Sequence, residues 1–302
     1  VAQLMQVPSD CLRLSFGTAA IQDGDTLEWY CKNRLQTSGN GLPESLVATA
    51  VVSLDNVYLR LESSHPDSKN AEMRRASMEV LGRAFEKGDD RAAQALSKSL
   101  QDMDAKVRLA AVRALASKPG DEGAIDGVGS SLEDQDYDVR WAAVDALVKL
   151  AASGDEHTLS VISGRLEHKR ADTRRASVRA FVQLAKRGDA CSIAVVSARL
   201  QDTDTNVRRA AVDGLVKFAE ACAEQVIADL SARLRHSSQN VRQTAIEALA
   251  KIAKDDTDVI AAVSARLEDQ SENVRRAAMD ALLHWSERDC RSVAAMIDGY
   301  LE

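Results

Sequence analysis

The chain has 302 residues, with 39 Lys and Arg against 46 Asp and Glu, giving a net charge of −7 and a pI near 5.4. Hydrophobic residues make up 45% of it, aromatics only 4%, and there are four prolines. Such a composition excludes a disordered chain and offers no apolar run near the ~18 residues of a membrane helix. It requires a core of Ala, Val and Leu in close-packed helices.

The five cysteines, Cys11, Cys31, Cys191, Cys222 and Cys290, are odd in number and scattered, with no CxxC pair. They read as free thiols of a reducing compartment, not as disulfides or metal ligands. The first ten residues lack the basic and apolar regions of a signal peptide. The expectation is a cytoplasmic protein with no membrane segment and no cofactor. The chain opens on Val1 and closes at Glu302, where another repeat helix is due, and whether it is a piece of something longer is left open by the sequence.

In chain order, LRLSF at Leu12–Phe16 alternates as a short strand does, and QDGDT is a tight turn with Gly24 supplying the unusual backbone angles. Pro8, Asp10, Arg13, Leu14, Phe16, Asp23, Gly24, Thr26, Leu27 and Tyr30 match the second half of ubiquitin in type and spacing. Residues 1–36 therefore resemble a partial ubiquitin-like segment. The first hairpin and most of the central helix of that fold are missing, and half of it buries no core. The resemblance implies either a missing half upstream or a remnant lying against the first repeat. A linker at 37–43, containing TSGNGLP, then leads to a helix expected to begin near Glu44.

From there one phrase returns seven times: MRRASMEVL from Met73, VRLAAVRAL from Val107, VRWAAVDAL from Val139, TRRASVRAF from Thr173, VRRAAVDGL from Val207, VRQTAIEAL from Val241 and VRRAAMDAL from Val274. The steps are 34, 32, 34, 34, 34 and 33 residues. In the fifth copy Val207, Ala210, Ala211, Gly214, Leu215 and Phe218 fall on one helical stripe. This is the second helix of each repeat, helix B. Asp204 is placed to cap it, as are Asn70, Asp104, Asp136, Ser238 and Ser271 in other copies, and Arg170 breaks the row. The first helix, helix A, carries its own refrain: SIAVVSARLQD from Ser192, QVIADLSARLRH from Gln225 and VIAAVSARLED from Val259. Glycine–aspartate pairs at Gly88, Gly154 and Gly188 mark the turn from helix B into the next helix A.

Repeated helix pairs of this length cannot bury their apolar faces singly and must stack. From Glu44 to the end the chain resembles a HEAT-repeat solenoid of the HEAT-like, phycobilisome-lyase type. The fold class expected over 44–302 is all-α: a right-handed α-solenoid of about seven helix pairs, after a short, partly β N-terminal segment.

One enzyme family with such repeats, the deoxyhypusine hydroxylases, uses repeated His-Glu pairs, and this chain has no His-Glu dipeptide. His65, His157, His168, His236 and His284 show no ligand spacing, and His168 and His236, which share a repeat position, stand about 20 Å apart at roughly 10 Å per layer. No catalytic, cofactor-binding or metal set is assigned. A bilin lyase or isomerase is the enzymatic alternative. It calls for a cysteine or aromatic wall, and Trp141 is the exposed aromatic of the repeat phrases. Arg-Arg-Ala-Ser, ending at Ser77 and Ser177, matches a basophilic kinase site, yet both serines align with the core position of Ala211. Arg74, Arg108, Arg140, Arg174, Arg208, Arg242 and Arg275 share another position and are expected to form a ladder with acids near Asp104, Asp136 and Asp204.

The exposed edge of helix B follows from the same register. It consists of Arg75, Glu79, Arg83, Leu109, Arg113, Ser117, Trp141, Asp145, Lys149, Arg175, Arg179, Gln183, Arg209, Asp213, Lys217, Gln243, Glu247, Lys251, Arg276, Asp280 and His284. Ten are basic and five acidic, opposite in sign to the whole chain. Such a ridge suits an acidic protein segment, with Arg75, Arg113, Trp141, Arg175, Arg179, Arg209, Lys217, Lys251 and Arg276 as its contacts. The plainer alternative is that pairs such as Arg209 with Asp213 only solvate the helix. Nucleic acid is the competing partner, disfavoured by the pI and the interspersed acids. The sequence thus points to a non-enzymatic protein-interaction scaffold or adaptor.

Overall fold

The computed structural model describes residues 12–16, 19–20, 49–52, 68–253 and 256–286. The chain divides into two compact units, Val1–Ser131 and Leu132–Glu302.

In the first unit, strand β1 (Leu12–Phe16) pairs antiparallel with β2 (Ala19–Ala20) on one side and β3 (Thr49–Val52) on the other. Leu12 stands opposite Val52, and Phe16 opposite Ala19. The strand expected at LRLSF is present. At Thr49–Val52, where a helix was expected to run on from Glu44, the chain instead pairs as β3. Three of those four residues, Thr49, Val51 and Val52, are β-branched, which a helix crowds against its preceding turn and a strand accommodates. The remainder of the ubiquitin-like segment at 1–36, and the linker at 37–43, lie outside the described residues.

The helices of this unit are α1 (Ser68–Glu86), α2 (Asp90–Ser99), α3 (Ala105–Leu115) and α4 (Glu122–Ser130). Asn70, expected as a cap, lies inside α1, which starts two residues earlier. Helices α1 and α3 are copies of helix B and pack side by side, with α2 against both. Met78, Leu81, Leu96, Val107 and Leu115 fill the space between and are almost wholly excluded from solvent.

The second unit continues with α5 (Tyr137–Leu150), α6 (Glu156–Ser163), α7 (Ala171–Leu184), α8 (Ala190–Ala198), α9 (Thr205–Arg233), α10 (Gln239–Ile252), α11 (Thr257–Ser264) and α12 (Glu272–Ser286). Successive B helices pack in chain order, α5 on α7, α7 on α9, α9 on α10 and α10 on α12. The stripe read from the sequence is the buried face: Val207, Ala210, Ala211, Gly214, Leu215 and Phe218 are all buried. Gly214 lets α9 come close to α7, since a Cβ there would sit 2.5 Å from Val182 Cγ2.

The caps explain where the helices begin. Asp104, Asp136 and Asp204 each accept two backbone N–H bonds from the first turn of helix B. Arg170 makes no side-chain cap, as expected, but neither does Ser238. The glycine–aspartate pairs have a division of labour. Gly88, Gly154 and Gly188 take φ of 90°, 78° and 83°, where a Cβ would be strained, and Asp89, Asp155 and Asp189 then cap helix A. Gly120 with Asp121 is a fourth pair, with φ of 80°. The sequence FAEACAEQ lacks such a pair, and the chain instead bends inside α9, where Cys222 leaves helical geometry at φ −151° and ψ 60°.

Candidate partner-binding ridge

Fixing helix B in register is the work of the second residue of the repeat phrase. Arg74 donates a fork to Asp102 at 2.7 and 2.9 Å, Arg174 to Asp202 at 2.7 and 2.6 Å, and Arg242 to Asp269 at 2.8 and 2.7 Å. The remaining nitrogen turns back: Arg174 Nη1 donates to the carbonyls of His168 and Lys169, and Arg108, Arg140, Arg208, Arg242 and Arg275 make the equivalent bonds. The expected ladder is present, and its acids near the caps are Asp102, Asp202 and Asp269, each two residues before the cap position. The cap carboxylates are engaged by the N–H groups of their own helix.

These forks set the local charge states. Hydrogen bonding to its aspartate raises each of Arg74, Arg174 and Arg242 above the ordinary guanidinium value. Burial pushes Asp202 up, but hydrogen bonds from Arg174 and the Asp204 N–H outweigh it and hold the carboxyl below its usual range. Asp269 is lowered chiefly by its bonds from Arg242.

A second ladder, which the sequence reading missed, runs backward from the arginine of the helix A refrain. Arg199 Nη1 donates to Leu166 O at 2.9 Å, Arg165 lies 2.9 Å from Glu133, and Arg266 Nη1 donates to Leu234 O at 3.4 Å. The recurring Ser-x-Arg-Leu of the refrain was the available signal.

The aromatic site expected around Trp141 is built from α5 and α7. The Arg179 guanidinium lies over the Trp141 ring at 4.4 Å, and Tyr137 tilts against Trp141 with centroids 5.7 Å apart. Arg140 lies 6.0 Å from the Tyr137 ring. Tyr137 opens α5, outside the three ridge positions, which is why it was not singled out. Arg175 pairs at 3.3 Å with Asp172.

The other ridge positions divide by partner. Lys251 pairs with Asp213 at 3.4 Å, and Arg276 with Glu272 at 2.8 Å. Arg209 was read alternatively as the partner of Asp213, which Lys251 takes instead. Arg209 and Lys217 are exposed and form no ion pair among the described residues. In the first unit Arg75 and Arg113 are exposed and border a groove of about 890 Å³ between α1 and α3, floored by Gly82, Leu109, Ala110 and Ala114. Ser77 and Ser177 are buried, and Ser177 Oγ donates to Thr173 O within its helix. Cys191 is exposed and Cys222 half-buried, both as free thiols. His168 and His236 each use Nδ1 to accept a backbone N–H two residues on. No described helix is long and apolar enough to cross a membrane.

Helix pairs stacked in chain order, arginine forks between layers and an exposed helix B edge define an α-solenoid. The family model for HEAT repeats matches residues 94–182 and 227–297, more than half of the chain. The protein belongs to the HEAT-repeat family. A model for the HEAT repeat associated with sister chromatid cohesion matches residues 193–215. A comparison with curated proteins finds no match. Among solved structures, the karyopherin Kap121p bound to the extreme C-terminus of the protein phosphatase Cdc14p is similar, with a TM-score of 0.55 and 13% identity over 76% of this chain and 29% of that one. Kap95p, in a structure describing its effect on RanGDP, gives a TM-score of 0.51 and 16% identity over 76% of this chain and 35% of that one. The chain thus spans about a third of the length of the karyopherins it matches.

Proposed function

We propose that this chain is a non-enzymatic interaction scaffold that holds an acidic segment of a partner protein along the helix B ridge of the 132–302 unit. The observation that carries the reading is the Arg179 guanidinium, stacked on Trp141 at 4.4 Å, exposed, and without an acidic partner among the described residues. A stacked guanidinium keeps its edge donors free, which is the geometry that grips a carboxylate. Arg209 and Lys217, equally unpaired, extend the positive row to the next layer. Aromatic and arginine side chains of this kind dominate binding energy where they occur at interfaces. That the similar Kap121p holds a chain terminus of another protein is consistent with the reading, and a cytoplasmic location is part of the same proposal.

The test is fluorescence anisotropy with a labelled octaglutamate peptide on wild type and on Arg179→Glu with Arg209→Glu, after circular dichroism shows equal helicity. Saturable binding that the double variant loses supports the ridge. Binding equal in both proteins, or no binding to wild type, overturns it. Duplex DNA that outcompetes the peptide would assign the ridge to nucleic acid instead.

A further inference from the structure

We propose that Arg140 and Arg175 form a carboxylate subsite on the 132–302 unit, and that Asp172 fills it in the free chain as a stand-in for an acidic side chain of the partner. This rests on the ridge reading above and names its specificity-determining contact.

The reason lies in a break in the ladder at Arg140. Arg174 and Arg242 fork aspartates 28 and 27 residues further on, at 2.6 to 2.8 Å. For Arg140 the residue 28 on is His168. Its Nδ1 accepts the Arg170 N–H at 3.2 Å, the turn-closing job that Asp202 Oδ1 does for Asp204 N–H at 2.9 Å. It brings no carboxylate to Arg140. That arginine is still anchored by Nη1 on the carbonyls of Asp134 and Gln135 at 2.7 and 2.9 Å, and its side chain is only 6% exposed.

The replacement counter-ion is loose. Asp172 Oδ2 lies 3.5 Å from Arg140 Nη2, its Oδ1 lies 3.3 Å from Arg175 Nη2, and its side chain is 52% exposed. A buried guanidinium whose carboxylate partner is distant and solvated retains much of its demand for a better one. Arg208 supplies the contrast. It too meets a histidine, His236, where a carboxylate would stand, yet its Nη2 donates to Thr205 Oγ1 at 3.0 Å, and no aromatic pair flanks it among the described residues. Beside Arg140 stand Tyr137, 53% exposed, and Trp141, a wall for the apolar part of the same partner residue. An incoming Asp or Glu exchanges with Asp172, taking both guanidiniums while Asp172 turns to solvent.

Octaglutamate anisotropy on the whole chain tests this at fixed ionic strength. Asp172→Asn removes the competitor and is expected to tighten binding about tenfold. Glu167→Gln, an equal charge change at an exposed residue paired with Arg199, is expected to change it by less than about twofold. His168→Asp restores the ladder fork and should weaken binding while raising the melting temperature. That opposition of affinity and stability is not expected of a merely structural Asp172. If Glu167→Gln tightens binding as much as Asp172→Asn, the gain is bulk charge and the subsite is wrong. If binding needs Arg179 and Arg209 but ignores Asp172→Asn and His168→Asp, the subsite fails and the ridge stands. If neither wild type nor Asp172→Asn binds, both fall.

Discussion

Arg174 and Asp202, 28 residues apart, are joined by a two-bond fork at 2.7 and 2.6 Å, and the same guanidinium closes the loop before its own helix through the carbonyls of His168 and Lys169. One side chain thus ties its own turn, its own helix and the next repeat. In a solenoid each layer touches only its neighbours, so interface ties of this kind decide whether layers melt together or singly.

Removing the acid should therefore be expensive. The Asp202 side chain is 5% exposed and that of Arg174 12%, and breaking a largely buried pair by deleting one partner costs about 3 kcal/mol. Asp202→Asn is expected to lose about that much in urea denaturation. Asp213→Asn, in an exposed pair with Lys251, should stay within about 0.5 kcal/mol of wild type. Equal losses would mean that the fork is no stronger than a surface pair.

The same carboxylates set the acid limit. Asp202 and Asp269 lie below their ordinary value in the folded chain, so the folded state binds their protons less readily than the unfolded state does. Their stabilisation is complete above the unfolded value, about 3.9, and is lost as pH falls through the folded values. The melting temperature should be level in its Asp202 and Asp269 contribution at neutral pH and should drop below about pH 4. Asp202→Asn should flatten that drop, and a slope unchanged by the substitution would remove Asp202 as its source.

Thr173 stands where five of the seven repeat phrases have Val. It is fully buried, and its Oγ1 has no hydrogen-bond partner. An unpaired buried hydroxyl costs about 1 to 3 kcal/mol, and Val fills the same volume without it. Thr173→Val is expected to raise stability by about 1 kcal/mol, measured by thermal unfolding. A loss would place a polar partner at Oγ1.

Period and polarity made the repeats legible. The stripe from Val207 to Phe218 needed only helical spacing, and the exposed positions of Arg179, Arg209 and Lys217 followed by counting from it. Strand β3 was misread because Pro43 closes a linker in the way that often precedes a helix, whereas the β-branched Thr49, Val51 and Val52 that follow favour a strand. The ladder arginines and the neighbourhood of their acids were recognisable, but not the particular acid: Asp102 and Asp104 look interchangeable along the chain, and only the folded turn assigns one to the neighbouring repeat and the other to the cap. Tyr137 escaped because its contact with Trp141 lies one turn away along the helix, off the counted ridge.

His236 offers a final test of that division of labour. Its Nδ1 accepts the Ser238 N–H at 3.1 Å, as Asp269 Oδ1 accepts the Ser271 N–H at 3.0 Å, so it closes the turn but gives Arg208, 28 residues earlier, no carboxylate. His236→Asp keeps the acceptor and adds the fork, at the register already used by Arg174 with Asp202. A charge-assisted pair in this half-buried setting should add about 1 kcal/mol, a rise of about 2 °C or more in melting temperature for a chain of this size. His236→Ala loses the acceptor without adding a fork and should fall below wild type. If His236→Asp gains nothing while His236→Ala loses, the bond from Arg208 to Thr205 already satisfies the arginine, and the turn alone accounts for the residue at that position.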